Sequence, residues 1–289
     1  MIEAGGPACA QREASGVLLC LGSLALDEFV VVRRLPDSNG KEQAIQSFRC
    51  VGGLAGNSAI AAARLGLPSA YCGPLDLQGG DPAGRLVQEL LRREGVATHW
   101  IERPGARPGR AWILMSPTPD QRWLVYDLDG VPELSLEDFD PASPPGSLLD
   151  DAAAVLVDNV NPGWILAVMA EARRRAKPVV ATIEGTPETW PHHERVNAIA
   201  QQCDHLLVDR TTARHLTSST NDDDVETREL AQRLSQWNHA TAVVTDGEHG
   251  CWPADASSRA MMFRPAERAR VEYPDLDDTA VVVMAMDRA

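Results

Sequence analysis

The chain has 289 residues, 44% of them hydrophobic, and a formal net charge of −14. That length suits one large α/β domain or two smaller ones with a substantial core. The negative charge argues against nucleic acid as a partner, whose phosphates would be repelled. No apolar run reaches the ~18 residues that a membrane span requires.

Residues 1–15 are polar and small, lack an apolar signal-peptide core, and read as a loose tail ahead of one α/β unit over 16–289. The elements then follow in order. Val17–Leu21 reads as a first strand, 54–65 as a helix, Ser69–Cys72 as a short strand and Pro82–Glu94 as a helix. Further on come strand Ala153–Val157, helix Trp164–Arg175 and strands Pro178–Ile183 and His205–Val208. Helix Glu226–Trp237 and strand Thr241–Thr245 complete the series. Strands alternating with helices imply a mainly parallel sheet covered on both faces. Two segments break the alternation. Glu28–Arg33 and Glu42–Cys50 flank the turn Pro36–Gly40, and Arg110–Ser116 and Arg122–Asp127 flank Pro117–Asp120; both read as β-hairpins.

The six cysteines (9, 20, 50, 72, 203, 251) include no C-x-x-C pair, and in so long a chain they predict reduced thiols and a cytoplasmic location. Cys20, Cys72 and Cys251 lie in apolar strand-like settings and are expected in the core. The histidines show no metal-binding spacing, and His192 and His193 are expected in solvent.

The most informative stretch is 52–66, Gly-Gly-Leu-Ala-Gly-Asn-Ser-Ala-Ile-Ala-Ala-Ala-Arg-Leu-Gly. Gly52 and Gly53 permit close backbone approach, and an Ala-rich helix follows, closed by Gly66 and Pro68. The start of such a helix carries unpaired N–H groups that suit a polar ligand. Equally, the glycines could make a turn before a closely packed helix, with Asn57 as its cap.

The whole pattern, with Asn57, Ala59 and Arg64-Leu65-Gly66, resembles the first signature of the pfkB (ribokinase-like) carbohydrate kinases. Gly22-Ser-Leu-Ala-Leu-Asp27 resembles that family's opening strand, ending in a sugar-binding aspartate. Gly79-Gly-Asp81-Pro-Ala-Gly84 resembles its next helix start, and Val244-Thr245-Asp-Gly247-Glu-His-Gly250 its nucleotide-side turn. Together these cover roughly 16–279. Asp120-Gln-Arg122-Trp-Leu-Val-Tyr126-Asp and Ala213-Arg-His215-Leu216 are similar to the ketohexokinase branch, which points to a ketose such as fructose; Leu54, where that branch has an asparagine, departs from it.

The resemblance implies a ribokinase-like α/β fold with a small β-lid from strands at about 28–50 and 110–127, which often clasps a homodimer. It implies transfer of the ATP γ-phosphate to a sugar hydroxyl with Mg²⁺, and a small-molecule sugar as partner. Asp27, Gly52, Gly53 and Asn57 would bind the sugar; Thr245, Gly247 and Gly250 would lie by the nucleotide. Asp27 suits the sugar because a carboxylate accepts hydrogen bonds from two neighbouring hydroxyls.

The family's second signature, Asp-Thr-x-Gly-Ala-Gly-Asp, should begin at Asp278-Thr279. Ala280-Val281-Val282-Val283-Met284 stands in its place, with Met284 where the general base belongs. A base contributes ~10²–10⁴-fold, and one donor to an anion on the order of 10²–10³. No catalytic residue is therefore matched, the chain reads as C-terminally truncated relative to the family, and a non-catalytic sugar-binding protein derived from such a kinase is the alternative. Asp209-Arg-Thr-Thr212 likewise lacks the glutamate that often organises Mg²⁺. With Lys41 and Lys177 as the only lysines, the composition fits a GC-rich gene, in which a frameshift near residue 275 would produce such a tail.

Overall fold

The computed structural model describes residues 16–117, 120–190, 192–218 and 225–255. In chain order these form β1 (Val17–Leu21), β2 (Ala25–Val32), β3 (Ala44–Gly52), α1 (Leu54–Arg64), β4 (Ser69–Leu75), α2 (Pro82–Arg93), β5 (Ala97–Glu102), β6 (Gly109–Pro117) and β7 (Asp120–Asp127). After two short 3₁₀ turns come β8 (Ala152–Val157), α3 (Pro162–Arg174), β9 (Val179–Ile183), α4 (His193–Gln202), β10 (His205–Asp209), α5 (Arg210–Leu216), α6 (Thr227–Asn238), β11 (Thr241–Thr245) and β12 (Cys251–Ala254).

Eight strands make one sheet in the order β12-β11-β10-β9-β8-β1-β4-β5, parallel except for β12. Strand alternation divides its side chains between two cores. Leu19, Leu21 and Cys72 join the core built with α3, α4 and α6, while Cys20 and Tyr71 join the one under α1 and α2. The alanines of α1, among them Ala55 and Ala59, are buried against this second face. Small side chains let the helix lie close to the sheet, and the Ser69 hydroxyl donates to the Ala59 carbonyl at 2.8 Å. Gly66 closes α1 with φ +82°, a left-handed value glycine adopts without strain. Asp81 caps α2, accepting from the Gly84 N–H at 2.7 Å with Pro82 in the first turn.

The two hairpin segments leave this sheet and build their own, in the order β3-β2-β6-β7. β2 pairs antiparallel with β3 and parallel with β6, and β6 pairs antiparallel with β7. These segments are therefore not edge strands of the main sheet.

Several expectations are adjusted. The opening strand stops at Leu21, and Asp27 lies in β2, so it belongs to the four-stranded sheet and does not end the first strand of the large one. Gly22, at φ +143°, and Ser23 form the corner between the sheets. β5, α4, α5 and β12 are additional elements, their apolar patterns being short or interrupted by polar residues. Cys20, Cys72 and Cys203 are buried, whereas Cys251, on the edge strand β12, is only half-buried. His192 and His193 are exposed as expected.

Candidate active site

Asp27 pairs with Cys50 in the β2–β3 ladder, so Gly52, two residues on, lies diagonally opposite on the same face. A Cβ at Gly52 would fall 2.1 Å from Asp27 Oδ1, so the bare backbone there makes room for the carboxylate. Next along that face Phe29 and Phe48 stack with centroids 4.8 Å apart. Burial raises the Asp27 carboxyl to about 6. Among the described residues no hydrogen bond to this carboxylate is found. On the opposite face Glu28 accepts from Arg49 Nε (2.9 Å) and Arg110 Nη2 (2.6 Å) and is held below the usual carboxylate range.

α1 begins at Leu54, with Gly53 as its cap residue at φ +83°. A Cβ at Gly53 would lie 2.5 Å from the Ser23 carbonyl oxygen, so this glycine is required by the corner it packs on. Asn57 sits inside the first turn and does not cap the helix, which has no side-chain cap.

The expected run of unpaired N–H groups at this helix start is not available to a ligand. Leu54 N–H donates to Ser23 Oγ at 2.8 Å, Ala55 N–H to the Asp158 carboxylate, and Gly56 N–H to the Ser23 carbonyl at 3.2 Å. Asn57 N–H returns to Gly53 at 2.9 Å. The protein supplies its own anion: Asp158, just beyond β8, is fully buried and also accepts from Ser23 N (2.6 Å), Ser23 Oγ (2.7 Å) and Val160 N (2.9 Å). Burial outweighs these donors and raises its carboxyl to about 6.

At the carboxyl ends of β9, β10 and β11 lies an open cleft of about 740 Å³, walled in part by Leu54, Asn57, Ser58, Glu184, Asp209 and Thr245. Open parallel sheets place ligands at this end of their strands, because the connecting loops and helix starts converge there. The cleft joins Asn57 to Thr245, residues 188 apart in sequence. Asp27, Gly52, Gly53, Gly247 and Gly250 are not among its wall residues; Gly52 and Gly53 directly precede Leu54 in the chain. Burial and the neighbouring charge of Asp209 raise the Glu184 carboxyl, with Arg122 of β7 opposing. Asp209 Oδ1 accepts from Thr212 N at 2.6 Å and caps α5.

After Thr245 the chain makes a 3₁₀ turn over Gly247–His249, closed by Asp246 N–H to the Gly250 carbonyl at 2.8 Å. Gly247 (φ +49°) has nothing within 4 Å of where a Cβ would stand. Asp246 accepts from the Thr227 hydroxyl and lies 3.5 Å from Arg210 Nη1. Asp278, Thr279 and Met284 lie outside the described residues.

Glu184 on the cleft wall, and Ser23 and Asp158 at the corner behind the start of α1, were not singled out from the sequence. Each of the two acids follows directly on a buried strand, at the end of the sheet where ligands bind, and that placement was the available signal.

The fold, the glycine corner and the shared cleft agree with a comparison by sequence: the pfkB family carbohydrate kinases match residues 18–270. The chain belongs to this family. Among pfkB relatives it is 26% identical over 243 residues to 5-dehydro-2-deoxygluconokinase of Geobacillus kaustophilus, covering 77% of this chain and 70% of the relative. It is 26% identical over 235 residues to fructokinase of Vibrio alginolyticus, covering 73% and 68%. In fold it is similar to Arabidopsis thaliana ribokinase complexed with ribose and ATP (TM-score 0.67, 19% identity, 95% of this chain and 88% of that one). It is likewise similar to Xylella fastidiosa fructokinase with bound ATP (TM-score 0.64, 18% identity, 86% and 77%). Among the described residues no helix is long and apolar enough to cross a membrane.

Proposed function

We propose that this pfkB kinase recognises a sugar at Asp27, Gly52, Gly53 and Asn57, with Mg-ATP on the side of Thr245, Gly247 and Gly250. The observation that carries the reading is Asp27: a half-buried carboxylate, raised to about 6 by burial alone, with no hydrogen bond to it found among the described residues. Such a group is costly unless something donates to it, and a pair of sugar hydroxyls does so. The Phe29–Phe48 stack beside it offers an apolar face to sugar C–H groups. The four-stranded sheet, with strands at about 28–50 and 110–127, acts as the lid. A ketose such as fructose is the first candidate.

Glu184 and Asp209 fit a divalent cation. A hard ion such as Mg²⁺ is held by one or two carboxylates together with substrate phosphates, and two neighbouring carboxylates would repel a bare triphosphate. Bound there, the ion would neutralise charge on the phosphates. Thr245 shares this cleft wall.

Phosphoryl transfer proceeds far below the family's usual rates in this reading, because Met284 has no proton-accepting group. Recognition is thereby retained while chemistry is weakened. Trp123, Val125 and Tyr126 of the edge strand β7 are 49%, 63% and 65% exposed, which supports a homodimer formed through the lid. The free thiols are in keeping with a cytoplasmic location.

Titration calorimetry with D-fructose, D-ribose and adenosine, followed by ADP release with Mg-ATP, tests the reading. The expected result is saturable binding of a sugar, lost in Asp27→Ala, with little sugar-dependent ADP release. Release at ordinary kinase rates would overturn the assignment of Met284; binding that survives Asp27→Ala would overturn the site.

A further inference from the structure

We infer that Asp158 is a positioning residue for the sugar half of the site, acting through Ser23 and the first turn of α1. The inference rests on the sugar reading above. Asp158 is fully buried, and its carboxylate gathers donors from three separate stretches of chain: the corner at Ser23, the start of α1 at Ala55, and the loop after β8 at Val160. Ser23 extends the tie. Its hydroxyl donates to Asp158 and accepts from Leu54 N–H, and its carbonyl accepts from Gly56 N–H. Two glycines keep this arrangement clear. A Cβ at Gly22 would stand 2.3 Å from the Asp158 carboxylate, and one at Gly53 would stand 2.5 Å from the Ser23 carbonyl.

The consequence is geometric. Asp27 follows Ser23 by four residues and Asn57 follows Leu54 by three, so the spacing between these two side chains is set where Ser23 meets α1. The large sheet fixes that meeting point through β8. A neutral amide at 158 would present an NH₂ to a pocket occupied by four N–H and O–H donors, so at least one donor would lose its acceptor. The corner and the helix start would then separate, and Asp27 and Asn57 with them. The rim at Thr245, carried by β11, has no part in the tie.

The test compares wild type, Asp158→Asn and Ser23→Ala. Calorimetry reads affinity for D-fructose and D-ribose and, separately, for Mg-ADP. Hydrogen exchange reads the amides of Leu54, Ala55 and Gly56. Sugar affinity is expected to fall by about tenfold or more in Asp158→Asn, with Mg-ADP affinity within about twofold of wild type and faster exchange at the three amides. Ser23→Ala, which keeps the carboxylate, should show the same split at smaller size, and it decides the matter if Asp158→Asn does not fold. Equal loss of sugar and nucleotide affinity would reduce Asp158 to general stability and overturn the inference, as would unchanged sugar affinity with unchanged exchange. If wild type binds neither sugar, the sugar reading fails; unaltered exchange in the variants would then overturn the tie as well, and faster exchange would support the tie alone.

Discussion

At the corner between the two sheets, one buried carboxylate, Asp158, is tied through its donors to three segments of chain. At the rim formed by β9, β10 and β11, two carboxylates, Glu184 and Asp209, line an open cleft, where burial and the charge of Asp209 raise the Glu184 carboxyl against the opposing charge of Arg122. The corner spends its polar groups on itself; the rim carboxylates face an open cleft, with one Asp209 oxygen capping α5. Asp27 shows the contrast at short range. It has about the same raised carboxyl as Asp158, yet burial alone raises it, while Asp158 is raised despite four donors. In the proposed reading, one carboxylate is architecture and the other is the sugar's acceptor.

Removing Asp27 should give the largest effect. Asp27→Ala is expected to weaken sugar binding by about 100-fold, the loss of two hydrogen bonds to a charged group, while leaving the melting temperature unchanged or higher. A fall in melting temperature would place Asp27 with Asp158 as a structural carboxylate and erase the contrast.

The pH dependence comes next. Both carboxyls are raised from 3.8 to about 6, so the folded state binds more protons than the unfolded state between those values. Their contribution to stability is therefore fully present below about pH 3.8 and is lost as pH rises through about 6. Asp27→Asn should abolish its share, roughly 1–2 kcal/mol after allowance for its partial exposure, when urea unfolding is followed from pH 4 to 7.5. Sugar affinity should run the opposite way, strengthening as pH rises through about 6, because the ionised carboxylate is the better acceptor. Parallel trends would contradict the assignment of Asp27 to the ligand.

Gly52→Ala places a methyl against the Asp27 carboxylate and should weaken sugar binding by about tenfold, with Mg-ADP affinity kept. Calorimetry showing equal losses would mean that the two ends of the cleft are coupled more closely than their geometry suggests. The smallest effect is expected at the rim. Arg210→Ala removes a partner of Asp246 and should weaken Mg-ADP about threefold, in keeping with a partly exposed ion pair. Sugar affinity should not change.

The alternation of strand and helix was legible because each element carries its own period, as Val17–Leu21 and Thr241–Thr245 do in their apolar runs. The hairpin segments were legible from their Pro-rich and Gly-containing turns. The glycine pair could be read as a site but not explained: Gly52 clears Asp27, and Gly53 clears Ser23, through contacts no local pattern contains. The expectation that α1 opens on free N–H groups was mistaken for the same reason, since the acceptors come from Ser23, about thirty residues earlier, and Asp158, about a hundred residues later.

Composition, period and motif by themselves determined the α/β class, the family resemblance, the separate pair of hairpins and the residues to inspect. They act locally, through propensity, turn chemistry and burial of one face. Tertiary structure alone decided that Asp27 belongs to the second sheet, that Asn57 and Thr245 share one cleft, and that Ser23 and Asp158 consume the helix start. Those outcomes depend on which donor meets which buried acceptor, and that pairing exists only once the sheet has brought distant strand ends together.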